Sequence, residues 1–355
     1  MKFYIAIPVY KAEAFLADCV SSVLSQTLQN FEIVLVDDGS PDASGQLCDD
    51  FAARDSRIHA LHQKNTGPYG ARRTAIHFLL DHGSPEDRAV FLDADDSLKP
   101  NALETLDRCI RETGADLVFL GEDQVYEGRV LRPFPKDMAY IGTVTDRRQL
   151  YKIVFQDGWY NPLWKKVPAL SLLPREDHPE FYPVRFGEDL LQSIPLYRDC
   201  QKAVFLPDSL YNYTQNPNSA TNGLGYEKYR VTSLVPETCW NFLNSQNVYT
   251  PEDFEEYMAW LRRLTRFQVW LVAKFTTSSA NRCKLLEAIS EDAFYAKIIA
   301  TAPKEDRCLS LMQKKRFGTL CAMGTAMRKL GDVRRWVRKH RGKGSPERGA
   351  VSAAD

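Results

Sequence analysis

The sequence has no C-x-x-C pair, no internal repeat, no long apolar run and no net charge. Its eight cysteines stand scattered at positions 19, 48, 109, 200, 239, 283, 308 and 321, without the His/Cys spacing of a zinc site. That pattern argues against a disulfide scaffold and reads as reduced, packed thiols of a cytoplasmic protein. The opening MKFYIAIPVY is too short an apolar run for a signal peptide and has no cleavage-site pattern, so it suits a first strand and no export signal is evident. Phe267 to Phe275 is nine residues broken by Gln268 and Lys274, far below the roughly 20 that span a bilayer, which argues against an integral membrane protein. The zero balance of 46 basic and 46 acidic residues conceals an asymmetry. From Leu311 to Lys343 there are eleven Lys/Arg against the single Asp332, a segment of +10 offset by −10 elsewhere.

What is present is ordinary globular material: 355 residues, 44% hydrophobic and 26% charged, enough for a sizeable core and more than one typical domain. To about residue 120, short apolar runs alternate with helix-period segments, as βαβ units and a parallel sheet require. Expected strands are Phe3 to Ile7, Phe31 to Val36, Ile58 to His62, Ala89 to Leu92 and Leu117 to Leu120. Between them Phe15/Leu16, Cys19/Val20 and Val23/Leu24 repeat every four residues, as one buried helix face would. Leu47 with Phe51, and Ala71 with Ala75 and Phe78/Leu79, mark two further helices. Three of the runs end in polar clusters: Pro8-Val9-Tyr10, Asp37-Asp38-Gly39-Ser40 and Asp93-Ala94-Asp95-Asp96. In an open parallel sheet such strand ends are where ligands bind.

Adjacent carboxylates repel unless a cation lies between them, so the acidic turn at Asp93, Asp95 and Asp96 points to Mg²⁺ or Mn²⁺, both oxygen-preferring. An ion there clamps a nucleotide diphosphate and stabilises the charge of a departing one. The same four residues also read as a loop with a helix N-cap before Ser97-Leu98-Lys99-Pro100. Asp37 offers an acceptor for an imide or ribose hydroxyl, and Gly39 permits a close backbone turn; alone, the pair is equally an ordinary strand-turn-helix junction.

The run from Ile7 to Ile76, followed by AVFLDADDSLKPNAL at 89 to 103, resembles the N-terminal half of family 2 glycosyltransferases of the bacterial surface-polysaccharide type. Trp159 to Lys166, Phe186-Gly187-Glu188-Asp189-Leu190-Leu191, Leu210-Tyr211-Asn212-Tyr213 and Asn218-Ser219 are similar to later landmarks of many bacterial members. The likeness covers about residues 3 to 222, with several motifs in register. It implies a GT-A fold: an α/β, Rossmann-like, mixed and mainly parallel sheet flanked by helices, here with a C-terminal helical extension. Carried over residue by residue, it implies that Pro8, Val9 and Tyr10 line the nucleotide pocket, that Asp37 reads the base with Asp38 nearby, and that Asp93 contacts ribose or sugar. Asp95 would bind the metal with Asp96 beside it. Gly67 and Arg72 fall near the nucleotide, and Asp189 at the catalytic-base position. Such enzymes invert the anomeric centre in one displacement, for which a single base suffices; glycosidases need two carboxylates. Lys11, Thr66, Pro68-Tyr69 and Arg73 depart from the common pattern, more in keeping with altered donor choice than with lost catalysis. Trp159, Tyr160, Trp164, Tyr211 and Tyr213 are candidates for stacking on sugar rings or, for at least half, for core packing.

The expected organisation is a glycosyltransferase domain over 1–225, divided near 120 into nucleotide-sugar and acceptor halves, then a helical appendage over 226–310, a basic amphipathic tail over 311–343 and a disordered end over 344–355. Phe317, Leu320, Met323, Met327, Leu330 and Val337 share one face of the tail, with Arg328, Arg335, Arg338 and Lys339 on others. That pattern suits an anionic membrane surface, or a helix packed on the domain. No nucleic-acid module accompanies it, so no nucleic-acid partner is expected. The whole sequence thus reads as a cytoplasmic transferase, peripheral at the inner face of the membrane, moving a sugar from a UDP-type donor to a glycan or lipid-linked acceptor in surface-polysaccharide assembly. The competing reading is a silent homologue acting as a nucleotide-sugar-binding scaffold.

Overall fold

The computed structural model describes residues 1–135, 140–156, 159–184, 187–215, 233–274 and 278–341. Phe186, Asn218, Ser219 and the 344–355 end lie outside the described residues. The chain divides into two compact units, Met1–Tyr257 and Met258–Asp355.

In the first unit, β1 (Phe3–Val9), β2 (Phe31–Asp37), β3 (Ile58–His62) and β4 (Arg88–Phe91) form an all-parallel sheet in the order β3-β2-β1-β4. β1 is buried along its length except for a partly open Pro8, which is why it reads as a continuous apolar run. The crossovers are α1 (Leu16–Leu24), α2 (Ser44–Arg54) and α3 (Gly67–His82). α1 buries Leu16, Cys19, Val20 and Val23, the face its periodicity marked. Register brings the strand ends level: Val9 lies opposite Asp37, and Asp37 opposite His62.

A second, mixed sheet follows the order β5-β10-β6-β7, built from β5 (Ser97–Leu98), β6 (Leu117–Tyr126), β7 (Arg129–Arg132) and β10 (Ala203–Thr214). β8 (Gly142–Val144) adds to β10 and β9 (Lys166–Pro168) to β6, both antiparallel. Among the described residues of this sheet only the β6–β10 pairing is parallel, with Thr214 beside Val125. Helices α4 (Ala102–Thr113), α5 (Arg147–Gln156), α6 (Glu188–Asp199) and α7 (Leu234–Gln246) complete this unit with the start of α8 (Pro251–Lys274). Asp253, fully buried, is held there by Arg148 at 2.5 Å and Lys152 at 3.0 Å.

The second unit is helical: the rest of α8, then α9 (Ser279–Glu291), α10 (Ala293–Ala300), α11 (Arg307–Gln313) and α12 (Phe317–Arg341). Leu286, Ile298, Leu309 and Leu320 are buried. Gly324 is there because a Cβ would stand 2.2 Å from the Ala273 carbonyl oxygen. The buried Arg282 donates to that same carbonyl at 2.7 Å and to Thr325 at 2.9 Å, so the first part of the tail helix packs on its own unit. Among the described residues no helix is long and apolar enough to cross a membrane.

Candidate active site

Three segments far apart in sequence meet on one guanidinium. Arg72 lies in the second turn of α3, whose start is fixed by Asp38: its carboxylate accepts the N–H groups of Thr66 and Gly67, each at 2.8 Å, and the Gln63 amide at 2.8 Å. Gly67 takes φ +85°, open to a residue without a Cβ. Arg72 is 4% exposed and donates from Nη1 to Asp189 at 2.7 Å and from Nη2 to Asp93 at 2.9 Å, with Glu188 at 3.4 Å from Nη1. The cation is sealed in while its partners face outward, with side chains 22% open at Asp189 and 30% at Asp93.

Asp189 sits in the first turn of α6, where the helix dipole favours acidic side chains. Gly187, at φ +84°, turns the chain into that helix. Burial raises the pKa of both acids of the turn, with Arg72 pulling the other way. Glu188, also raised by its Asp189 neighbour, is pushed up to about 7.

The Asp93–Asp96 turn is tied to β10. The Asp93 N–H donates to the Tyr211 hydroxyl oxygen at 3.2 Å, and that hydroxyl donates to Asp96 at 2.7 Å. The Thr214 N–H takes the other Asp96 oxygen at 2.7 Å. Asp96 is therefore 3% exposed and faces the fold; burial, with Asp93 and Asp95 beside it, lifts its pKa well above the carboxylate range. Asp95 is half-buried on the same turn. Among the described residues no group of three or more His, Cys, Asp and Glu side chains is arranged to hold a metal unaided. The oxygen donors suit Mg²⁺ or Mn²⁺ only with a ligand's own oxygens completing the shell, the usual way Mg²⁺ meets a nucleotide phosphate.

At the neighbouring strand ends, Val9 is buried and its carbonyl accepts the Asp38 N–H at 2.9 Å; Pro8 is half-buried and Tyr10 is exposed. Asp37 accepts the Ser40 N–H at 3.0 Å and lies 3.1 Å from His62, whose other ring nitrogen is 3.0 Å from Asp49. Burial works against the Asp37 carboxylate, but hydrogen bonds from Ser40 and His62 outweigh it and hold the pKa below the usual value. Arg72, Asp93 and Asp189 thus come together directly. Asp37 and Tyr10 share the adjacent edge, and Asp38 and Asp96 turn into the fold.

Several roles differ from a reading by residue type. Tyr160, Trp164 and Tyr211 are buried: Trp164 stacks on Tyr211 at 4.4 Å, and Tyr160 packs edge-on to Phe119. Arg73 points away from Arg72, to Asp177 at 2.8 Å and the Pro174 carbonyl at 2.9 Å. Lys166, the last residue of the Trp159 to Lys166 landmark, is fully buried, and its Nζ donates to the carbonyls of Asn161 at 3.0 Å and Pro162 at 2.8 Å.

The glycosyl transferase family 2 model matches residues 4–169. Glycosyltransferase GlyG of Streptococcus pneumoniae serotype 4 is 40% identical over 224 residues, 61% of this chain and 71% of that protein. The chain belongs to the family 2 glycosyltransferases. As a member it is a transferase enzyme of the GT-A fold. Uncharacterized glycosyltransferase EpsJ of Bacillus subtilis is 30% identical over 218 residues, 61% of this chain and 62% of that relative, less than two thirds of its length. The crystal structure of Staphylococcus aureus TarS 1–349 in complex with UDP-GlcNAc superposes with a TM-score of 0.66, covering 93% of this chain and 92% of that one. At 18% identity that likeness establishes the fold.

Proposed function

We propose that this glycosyltransferase moves a sugar from a UDP-sugar to a hydroxyl of a glycan or lipid-linked acceptor, inverting the anomeric centre, with Asp189 as the base. The observation that carries this reading is the Arg72 bridge, which sets Asp189 beside Asp93 at the ligand-binding edge. Asp189 takes the proton of the acceptor hydroxyl as its oxygen attacks the anomeric carbon and the diphosphate leaves from the opposite face. Burial raises its proton affinity, which suits it to that transfer near neutral pH. Asp93 orients ribose or donor sugar, while Pro8, Val9, Tyr10 and Asp37 hold the nucleotide. Asp38 and Gly67 serve the nucleotide indirectly, by fixing the start of the Arg72 helix.

Asp95 is the carboxylate that would hold a divalent cation, with Asp96 supporting the turn from behind. Such an ion would offset the charge of the departing diphosphate. The UDP-GlcNAc complex of TarS supports a UDP-sugar donor. The basic segment 311–343 supports action at the cytoplasmic face of an anionic membrane, where lipid-linked intermediates of surface polymers reside. The test is Mn²⁺-dependent release of UDP across a panel of UDP-sugars. Asp189→Asn should keep UDP affinity and lose at least about a hundredfold in transfer. Appreciable transfer by that variant would show another base.

A further inference from the structure

His62 closes β3 directly opposite Asp37, the last residue of β2. Its Nδ1 lies 3.1 Å from Asp37 Oδ2 and its Nε2 3.0 Å from Asp49 Oδ1 on α2, so one ring joins the two carboxylates. Ionised carboxylates only accept, and the imidazolium, with an N–H on each nitrogen, serves both. The bonds to Asp49 and Asp37 raise the proton affinity of the ring above its ordinary value. Asp37 is held on its other sides as well. The Ser40 N–H donates to Oδ1 at 3.0 Å, the Gln63 N–H donates to the Asp37 carbonyl at 3.0 Å, and a Cβ on Gly45 of α2 would stand 3.0 Å from Oδ2. With a partner on each oxygen the carboxylate cannot rotate without breaking a bond, yet each oxygen keeps a lone pair for a ligand N–H. The His62 side chain itself is 45% open to solvent, so packing accounts for little of its role.

We propose that His62 is a positioning residue for base recognition, locking the Asp37 carboxylate so that it accepts from the imide N–H of uracil and turns cytosine away, with Asp49 orienting the ring from behind. The inference rests on Asp37 reading the base. Cytosine carries a bare acceptor where uracil carries that N–H, so a fixed carboxylate favours UDP over CDP. A carboxylate free to turn loses part of that preference.

The test compares two amides in the full chain. In His62→Asn the amide nitrogen takes the place of Nδ1 and still donates to Asp37; in His62→Gln the longer side chain carries it toward Asp49 instead. Titration calorimetry should show UDP affinity lower by about tenfold in His62→Gln, the low end for one hydrogen bond to a charged group, with CDP binding little changed. KM for the UDP-sugar should rise by the same factor and kcat stay close to its starting value, because the bond serves ground state and transition state alike. His62→Asn should recover most of the UDP preference. Equal losses for UDP and CDP, or a lower urea midpoint with the preference intact, would make His62 a strut between β3 and α2 and overturn the proposal. So would a His62→Asn variant that discriminates no better than His62→Gln. If Asp37→Asn keeps the UDP preference, the base-reading assignment fails instead, and the two failures are told apart.

Discussion

The Nη1 of Arg72 stands 2.7 Å from Asp189 while its Nη2 stands 2.9 Å from Asp93, so one side chain spans a proposed base and a proposed donor contact. A lysine offers a point charge and cannot replace that fork. Arg72→Lys should cut transfer by about two orders of magnitude, because misplacement near 1 Å has that effect. Arg72→Met leaves Asp93, Glu188 and Asp189 facing one another; with carboxylates partly open to water, the destabilisation should sit at the low end for broken buried pairs, about 3 kcal/mol. Urea unfolding and UDP-release assays check the two effects.

Tyr211→Phe removes only the hydroxyl that joins the Asp93 N–H to Asp96. An acceptor left without its donor in the interior costs about 1–3 kcal/mol, and the turn proposed to hold the cation loses one of its ties to β10. We expect a lower urea midpoint and a raised Mn²⁺ requirement for UDP release. An unchanged Mn²⁺ dependence would separate the anchor from the proposed cation site.

Glu188 gives stability a pH dependence. Its folded pKa is raised from 4.5 to about 7, so folded and unfolded chains both hold the proton below 4.5, and stability is lost as pH rises from there through 7. Glu188→Gln, neutral throughout, should be relatively more stable at pH 8 than at pH 5, by up to about 3 kcal/mol. Parallel stability curves for the two proteins would mean that Glu188 ionises as it does in water.

The basic tail is tested best by charge. Leu320, Cys321 and Arg282 tie the start of its helix into the second unit, so removing everything after Leu309 would disturb folding as well. Reversing Arg334, Arg335, Arg338 and Lys339 to glutamate leaves Leu320, Cys321 and Arg282 unchanged. Each basic residue near an anionic surface contributes about 1 kcal/mol, so co-sedimentation with phosphatidylserine vesicles at low salt should drop steeply. Undiminished co-sedimentation would remove the tail from membrane binding.

Much of this was legible in the sequence, for identifiable reasons. Phe3–Val9 and Ile33–Val36 are covered on both faces and so appear as apolar runs, and α1 shows its buried face every fourth residue. The acidic clusters stood at the ends of those runs, where their order on the chain already implied a shared edge. Bonding partners were not legible. Nothing in Asp93-Ala94-Asp95-Asp96 says that Tyr211, over a hundred residues away, turns Asp96 inward, nor does Asp37-Asp38 reveal that the second carboxylate caps α3. Arg72 and Arg73 look equivalent on paper, yet α3 sends one to Asp189 and its neighbour to Asp177. Pairing across long sequence separations decides such assignments, and local periodicity is blind to it.

Asp38 has one more consequence. It follows the proposed base reader Asp37 directly, and its carboxylate grips the first backbone amides of the helix that carries Arg72. The proposed nucleotide contacts and the proposed base are therefore the two arms of one stiff lever, with its fulcrum at a carboxylate that need touch neither substrate.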